Sequence, residues 1–455
     1  SVMAGMGTVF LTTLLGMRQF SPIIGCLAGL IITTCWRFVY LGSHARIDML
    51  FTFFITLAFV ALWELMRREK QGGTHWLKWL AGLAIGLAVL TKGPLGWLFP
   101  LLAIFIFSRT AKTCPVPWSF LLLLPIALAG LWIIFGIIEG GKDFSEMIYR
   151  ETIGRASGTA PIQIHQKPFF YYFPQILGDM APWSLFLPFA IWHGIKTRDL
   201  PWKFCAIALA TLFIFLSFFP GKRGDYLLPL YPMGAIILAV YFSRFYSINS
   251  RIHWAMSLPT WIIMGAMIIL AFVLILAALL PEINFSSLSP FLNSRDRWMA
   301  QLLYNKHRPS GLLLALGAWS MLIFSQYLRE ALKNFSGIKI TTLIAGWAFL
   351  LYLGINGPVA RIVNKYSSFR SFAEEIKQFA GNRHLYNYYR AREDLLYYLD
   401  LPVKEVFSIS PLQKPGDLLI TKKAHGQKWL EKFPERKIIY EMNAAFEPYQ
   451  LIGKL

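Results

Sequence analysis

Residues 21–66 read SPIIGCLAGLIITTCWRFVYLGSHARIDMLFTFFITLAFVALWELM. Two apolar runs, 23–40 and 50–66, flank the polar interruption Gly42-Ser43-His44-Ala45-Arg46-Ile47-Asp48. Each run holds roughly 18 residues, and a helix of that length rising about 1.5 Å per residue nearly spans the ~30 Å hydrocarbon core of a bilayer. His44, Arg46 and Asp48 therefore occupy a turn between two membrane spans. Ionisable groups at such a turn either face the headgroups or form the lip of a site, and what else faces the same side decides between them.

The same pattern recurs along most of the chain. Hydrophobic residues make up 56% of the 455 positions and charged residues 15%, with a mean hydropathy of +0.50. That excludes an ordinary soluble domain and predicts an all-α polytopic membrane protein. About twelve spans can be drawn, over 2–15, 21–40, 50–66, 76–91, 94–108, 118–138, 182–195, 204–219, 227–242, 254–280, 311–327 and 340–355. The net charge of +20 points to membrane lipids and other anionic headgroups as partners; no nucleic-acid motif accompanies it. Cys26, Cys35, Cys114 and Cys205 lie in or beside apolar runs without a CxxC pair, so they read as packing residues. The chain opens on Ser1 inside an apolar run, with no basic leader, and is expected to lack its natural N-terminal part.

The connections at 67–70, 109–112, 196–203, 243–251 and 328–339 are basic and alternate in register, which places them in the cytoplasm. The opposite side receives 42–48, 91–93, 140–181, 220–226, 281–308 and the tail. From Gly357-Pro358, read as a hinge, the composition turns polar. Strand-like runs at 384–389, 403–408, 417–421, 437–441 and 449–455 interleave with helix-like 371–379 and 392–399. The expected organisation is a multi-span domain over 1–356 and a small soluble α/β domain over 357–455, on the outer side.

Four polar clusters share that side. Asp48 with Arg46 and His44 is the first. Lys92, at a span end before Gly93-Pro94, is the second; a lysine there either snorkels to the headgroups or serves a site. The third is the long loop 140–181, with Glu151, Arg155, His165, Lys167 and Phe169-Phe170-Tyr171-Tyr172. It exceeds a plain connection, and part of it reads as a surface helix with an aromatic belt. The fourth is Pro220-Gly221-Lys222-Arg223-Gly224-Asp225-Tyr226, where adjacent cations between glycines allow close approach to a compact anion. Sugar transfer from a phosphodiester needs a stabilised leaving phosphate and an activated attacking oxygen. Lys92, Arg155, Lys222 and Arg223 suit the first task, and Asp48 the second. A multipass transporter of an anionic or lipid-linked substrate is the alternative, as is a non-catalytic membrane subunit. Against transport, the centres of the spans are nearly free of charge while polar groups gather at one mouth.

In order and spacing, several segments resemble the bacterial polyprenyl-phosphate-sugar-dependent glycosyltransferases of the GT-C fold. That group contains lipid A aminoarabinose transferase and is related to protein O-mannosyltransferases. The segments are Ala45-Arg46-Ile47-Asp48, Leu90-Thr91-Lys92-Gly93, Glu151-Thr152-Ile153-Gly154-Arg155, His165-Gln166-Lys167-Pro168-Phe169-Phe170-Tyr171-Tyr172, Pro182-Trp183, and Gly221-Lys222 with Tyr226 and Pro229. The resemblance implies an inverting inner-membrane enzyme with a periplasmic cavity. Such an enzyme takes a sugar from undecaprenyl phosphate and passes it to a lipid, lipid A-like, or to another periplasmic acceptor such as a glycan. It further implies donor-phosphate contacts at Arg155, Lys222 and Tyr226, and a cavity carboxylate at Asp48. Two departures bear on chemistry. The family's main catalytic acid lies in a first periplasmic loop that this chain does not contain, so Asp48 is expected to be a supporting carboxylate, and an inactive fragment or homologue stays open. Thr152 stands where aminoarabinose members carry a histidine, so a divalent metal is not carried over and its presence stays open.

Overall fold

The computed structural model describes residues 1–68, 75–111, 116–149, 167–197, 199–219, 221–244, 253–280, 310–381, 383–388, 391–409, 416–444 and 447–454. Two compact units divide the chain: Ser1–Ala271 with Trp319–Phe349, and Phe272–Ala318 with Leu350–Leu455. In chain order the first helices are α1 (Val2–Gln19), α2 (Pro22–Thr33), α3 (Trp36–Ser43), α4 (Ile47–Arg68), α5 (His75–Lys92), α6 (Leu95–Ala111) and α7 (Trp118–Tyr149). They continue with α8 (Tyr172–Asp179), α9 (Leu187–Thr197), α10 (Leu200–Phe218), α11 (Tyr231–Arg244), α12 (His253–Leu279), α13 (Gly311–Lys333) and α14 (Gly337–Ser367). Short 3-10 turns occupy Phe169–Tyr171, Trp183–Phe186 and Gly224–Leu230.

Among the described residues, seven helices are long and apolar enough to cross a membrane, or eight if one bent pair counts as a span. The other spans read from hydropathy correspond to shorter or less apolar helices, notably α1, α5, α6 and α9. The bent pair is α2 with α3, which meet at 65°, so the run 21–40 is broken where the sequence suggested one straight span. Side-chain hydroxyls explain the break. Thr34 Oγ1 turns back on the carbonyls of Leu30 and Ile31, at 2.8 and 3.1 Å, competing with the helical ladder. Groups from another segment then hold the bend: Trp36 N–H donates to the Ala181 carbonyl at 3.1 Å, and the Trp183 indole donates to Thr34 Oγ1 at 3.0 Å. The start of α2 is conventional, with Ser21 accepting from Ile24 N–H at 3.3 Å and Pro22 in the first turn.

Helix α11 is buried along nearly its whole length and packs against α1, α2, α9 and α10. Close helix crossings rely on glycine. A Cβ on Gly16 would lie 2.9 Å from Gly25 Cα, and one on Gly25 would lie 2.5 Å from the Thr13 carbonyl oxygen. Small residues of this kind let backbones touch where lipid offers no hydrophobic drive for helix association. At one end of α4, aromatic edges interlock around Phe204, whose ring centroid lies 5.2 Å from those of Trp63 and Phe107. Charges pair at this same end. Buried Glu64 accepts from Arg67 at 2.9 Å and from Arg68 at 2.7 Å, and Arg244 meets Asp199 at 2.5 Å. These are the basic connections that the charge pattern assigned to one side.

The second unit contains α15 (Arg370–Ala380), α16 (Glu393–Leu399) and α17 (Lys423–Lys432), with strands β1 (Leu385–Tyr388), β2 (Val403–Val406), β3 (Leu418–Lys422), β4 (Lys437–Ala444) and β5 (Glu447–Gly453). The sheet runs β2-β1-β3-β5-β4, with β1 parallel to both β2 and β3 and the other pairs antiparallel. One face buries Leu385, Leu418, Ile420 and Leu451 with Phe372 and Ile376 of α15 and Leu395 and Leu399 of α16. The other buries Tyr386, Leu419 and Ile452 with Trp429 of α17. All five strands fall on the runs read from sequence. Helix α17 was not legible, because Gly426 and Trp429 alone of its residues are buried, which leaves no apolar periodicity. The suggested hinge at Gly357-Pro358 falls within α14, which is assigned over Gly337–Ser367.

Replacing Gly25 by Val is expected to force α1 and α2 apart and cost about 1–3 kcal/mol. Gly130, with nothing within 4 Å of its would-be Cβ, is expected to accept Ala without loss. Thermal unfolding of the two variants in the same detergent checks the contrast.

Candidate functional site

Asp48 lies in the first turn of α4 and Lys92 is the last residue of α5. Each charge suits the helix end that carries it, an anion at an N-terminus and a cation at a C-terminus. The Lys92 ammonium donates to Asp48 Oδ1, and the two side chains are 17% and 8% exposed. The same ammonium sits 4.4 Å from the ring centroid of Tyr226 and 5.3 Å from that of Phe51, within cation–π range. Three residues singled out in the sequence, Asp48, Lys92 and Tyr226, thus form one contact cluster.

Tyr226 belongs to the Gly224–Leu230 turn that leads into α11. Just before it, Lys222 is buried, and its ammonium donates to the carbonyls of Lys167, at 3.1 Å, and of Phe219. Among the described residues these two carbonyls engage two of the three ammonium donors, and the loop end at Lys167 is tied to this turn. Arg223 is exposed, and among the described residues no carboxylate lies within ion-pair distance of it. It falls within electrostatic range of Lys92. Glu151, Arg155 and His165 lie outside the described residues. His44 is exposed and stacks on Tyr40, with ring centroids 4.2 Å apart.

A second group of charges, beside the first, went largely unread in the sequence. The Arg37 guanidinium on α3 pairs with Asp225, and its Nε lies 4.0 Å from Asp179 Oδ1 at the end of α8. Arg46 reaches Asp225 Oδ2 at 3.7 Å, and Gln175 donates to Asp179 Oδ1 at 2.8 Å. Burial pushes the Asp179 carboxyl above the usual carboxylate range, against the pull of the Gln175 hydrogen bond and the Arg37 charge. One signal could have exposed this group: Arg37 is a lone arginine inside an apolar run, which in a membrane protein marks a partner by default. Among the described residues no three His, Cys, Asp or Glu side chains come together as a metal-ligand set.

The arrangement offers a carboxylate paired with a lysine, an exposed arginine, and a tyrosine ring against the lysine. That combination can hold an anion and orient a nucleophile next to it.

Comparison with known proteins adds three findings. A family model described as dolichyl-phosphate-mannose-protein mannosyltransferase matches residues 1–137. The undecaprenyl phosphate-alpha-4-amino-4-deoxy-L-arabinose arabinosyl transferase of Edwardsiella ictaluri is 30% identical over 265 residues, 55% of this chain and 46% of that protein. The protein of the same name from Pseudomonas aeruginosa is 28% identical over 246 residues, 52% of this chain and 44% of that one. The chain spans about half the length of the curated relatives it matches. The crystal structure of ArnT from Cupriavidus metallidurans bound to undecaprenyl phosphate aligns over 99% of this chain and 82% of that one, with a TM-score of 0.72 at 16% identity. The fold is therefore the GT-C fold that the sequence resemblance implied, and the chain is similar in sequence to aminoarabinose transferases.

Substituting Lys92 by Met strands a buried carboxylate and is expected to cost about 3–5 kcal/mol. The double variant D48N/K92M is expected to recover more than half of that loss, read as thermal midpoints in detergent. A double variant no better than K92M would show that the two side chains are not coupled.

Proposed function

We propose that this chain carries the periplasmic-facing site of a membrane glycosyltransferase, which moves a sugar from an undecaprenyl-phosphate carrier to a lipid acceptor, lipid A-like, or to another periplasmic acceptor. The observation that carries the reading is the convergence of Asp48, Lys92 and Tyr226, with Arg223 in electrostatic range of Lys92. The similarity to aminoarabinose transferases supports it. On this reading the protein resides in the bacterial inner membrane, the mouth at Asp48 opens to the periplasm, and residues 357–455 form a periplasmic α/β domain after the multi-span region 1–356.

Chemically, the acceptor oxygen or nitrogen attacks the anomeric carbon from the face opposite the carrier phosphate. The bond from that carbon to the phosphate oxygen breaks, configuration inverts, and the leaving carrier phosphate gains negative charge. On this reading Arg223 and the Tyr226 hydroxyl stabilise that charge, and the Lys222 ammonium adds to it. Arg155 joins them as a donor-phosphate contact on the strength of the sequence resemblance, and Glu151 and His165 are assigned to substrate binding. Asp48 serves as a supporting carboxylate. Paired with Lys92, it orients the acceptor and stabilises the positive charge that develops on the attacking atom before its proton passes to water.

Two outcomes are expected. In a full-length enzyme reconstituted with undecaprenyl-phosphate aminoarabinose and lipid A, Asp48→Asn lowers kcat by about 10²-fold or more, and Lys222→Ala raises the donor KM. Transfer left intact by both Asp48→Ala and Lys222→Ala would sink the assignment. For orientation, a cysteine at Ser43 is expected to react with a membrane-impermeant maleimide in intact spheroplasts. One at Arg109 should react only after lysis.

A further inference from the structure

The anion-binding turn carries its own anion. Asp225 lies between Arg223 and Tyr226, buried and within electrostatic range of Lys92, so its charge opposes the job that the turn is proposed to do. Arg37 resolves this conflict. It comes from α3, 188 residues away in sequence, and its side chain is 27% exposed, against 45% for Arg46, the other cation near Asp225. The Arg46 contact is longer and more open to solvent, so it is the weaker one. Asp179, the other carboxylate near Arg37, stands 4.0 Å from the guanidinium Nε and already accepts from Gln175, so it is the weaker partner of Arg37.

Geometry gives Arg37 this position. The bend between α2 and α3 aims α3 at the turn, and the bend itself is held by Ala181 and Trp183, just after the helix that ends at Asp179. That helix also packs on the turn's backbone: a Cβ on Gly224 would fall 2.7 Å from Gln175 Nε2. Arg37 thus sits where α3, α8 and the Gly224–Leu230 turn meet.

We propose that Arg37 is a positioning residue for a phosphate monoester or diester at this mouth. It neutralises Asp225, so that Arg223 faces the phosphate uncompensated and Tyr226 stays seated against Lys92. The identification of that phosphate with the carrier's rests on the glycosyltransferase reading; the neutralisation does not.

The test separates charge from scaffolding. Binding of dodecyl phosphate and of undecaprenyl phosphate is measured in detergent by quenching of intrinsic tryptophan fluorescence, for wild type, Arg37→Lys, Arg37→Gln, and the double variant R37Q/D225N, each with a thermal midpoint. Arg37→Gln is expected to weaken binding of both ligands by about ten- to a hundredfold. Arg37→Lys should retain most of it, and R37Q/D225N should recover to within a few-fold of wild type. A double variant as weak as Arg37→Gln, or an Arg37→Gln that binds like wild type, overturns the proposal. Should wild type bind dodecyl phosphate but not the polyprenyl carrier, with the charge pattern intact, the carrier assignment falls and the role of Arg37 stands. Binding of neither ligand by wild type overturns both.

Discussion

The ion pair between Asp48 and Lys92 is the contact from which the rest of the site takes its position. It joins the start of α4 to the end of α5, two helices that pack along each other, and it places opposite charges where the helix dipoles favour them. A charge this buried survives only when paired. The pairing in turn leaves one face of the ammonium for an aromatic ring, and Tyr226 fills it. Through Tyr226 the pair captures the turn before α11, the most enclosed helix of the unit. Moving either end of the pair would therefore move the turn that carries Lys222 and Arg223.

Beside that contact lies a group in which carboxylates are shared between cations. Arg37 and Arg46 both address Asp225, while Arg37 also faces Asp179. Such groups cost desolvation and add little net stability, so their value lies in fixing one arrangement over its alternatives. Here the arrangement fixed is the angle of α3, which the Thr34 hydroxyl breaks from α2 and the Ala181–Trp183 segment holds in place. The bend that hydropathy could not see is what brings an arginine from an apolar run to the mouth. At the opposite end of α4, Glu64 with Arg67 and Arg68 shows the same economy of pairing without a site around it. Polar pairing alone does not make chemistry; an exposed cation beside the pair, with no carboxylate within ion-pair distance among the described residues, is what distinguishes the Asp48 end.

Much of this was legible in the residues. Apolar runs of span length, basic connections in alternating register, and five strand-like runs in the tail are local patterns, and they correspond to helices α1 to α7, helices α9 to α14 and strands β1 to β5. Asp48, Lys92 and Tyr226 were legible because each sits at a span end, where a polar residue is conspicuous. Arg37, Gln175 and Asp179 were not, because each lies inside a segment whose average character hides it. Helix α17 escaped for the converse reason, since a helix that buries little shows no period.

By itself, then, the sequence determined that this chain threads a membrane repeatedly, which of its connections are basic, and which polar residues stand at one mouth. Hydropathy and charge act over a few residues and are read directly from the string. The tertiary structure alone decided which cation serves which carboxylate: Lys92 for Asp48, and Arg37 for Asp225. Those partners are 44 and 188 positions apart. Coulomb attraction depends on distance in space, and here that distance is set by the bend of one span and the burial of one turn.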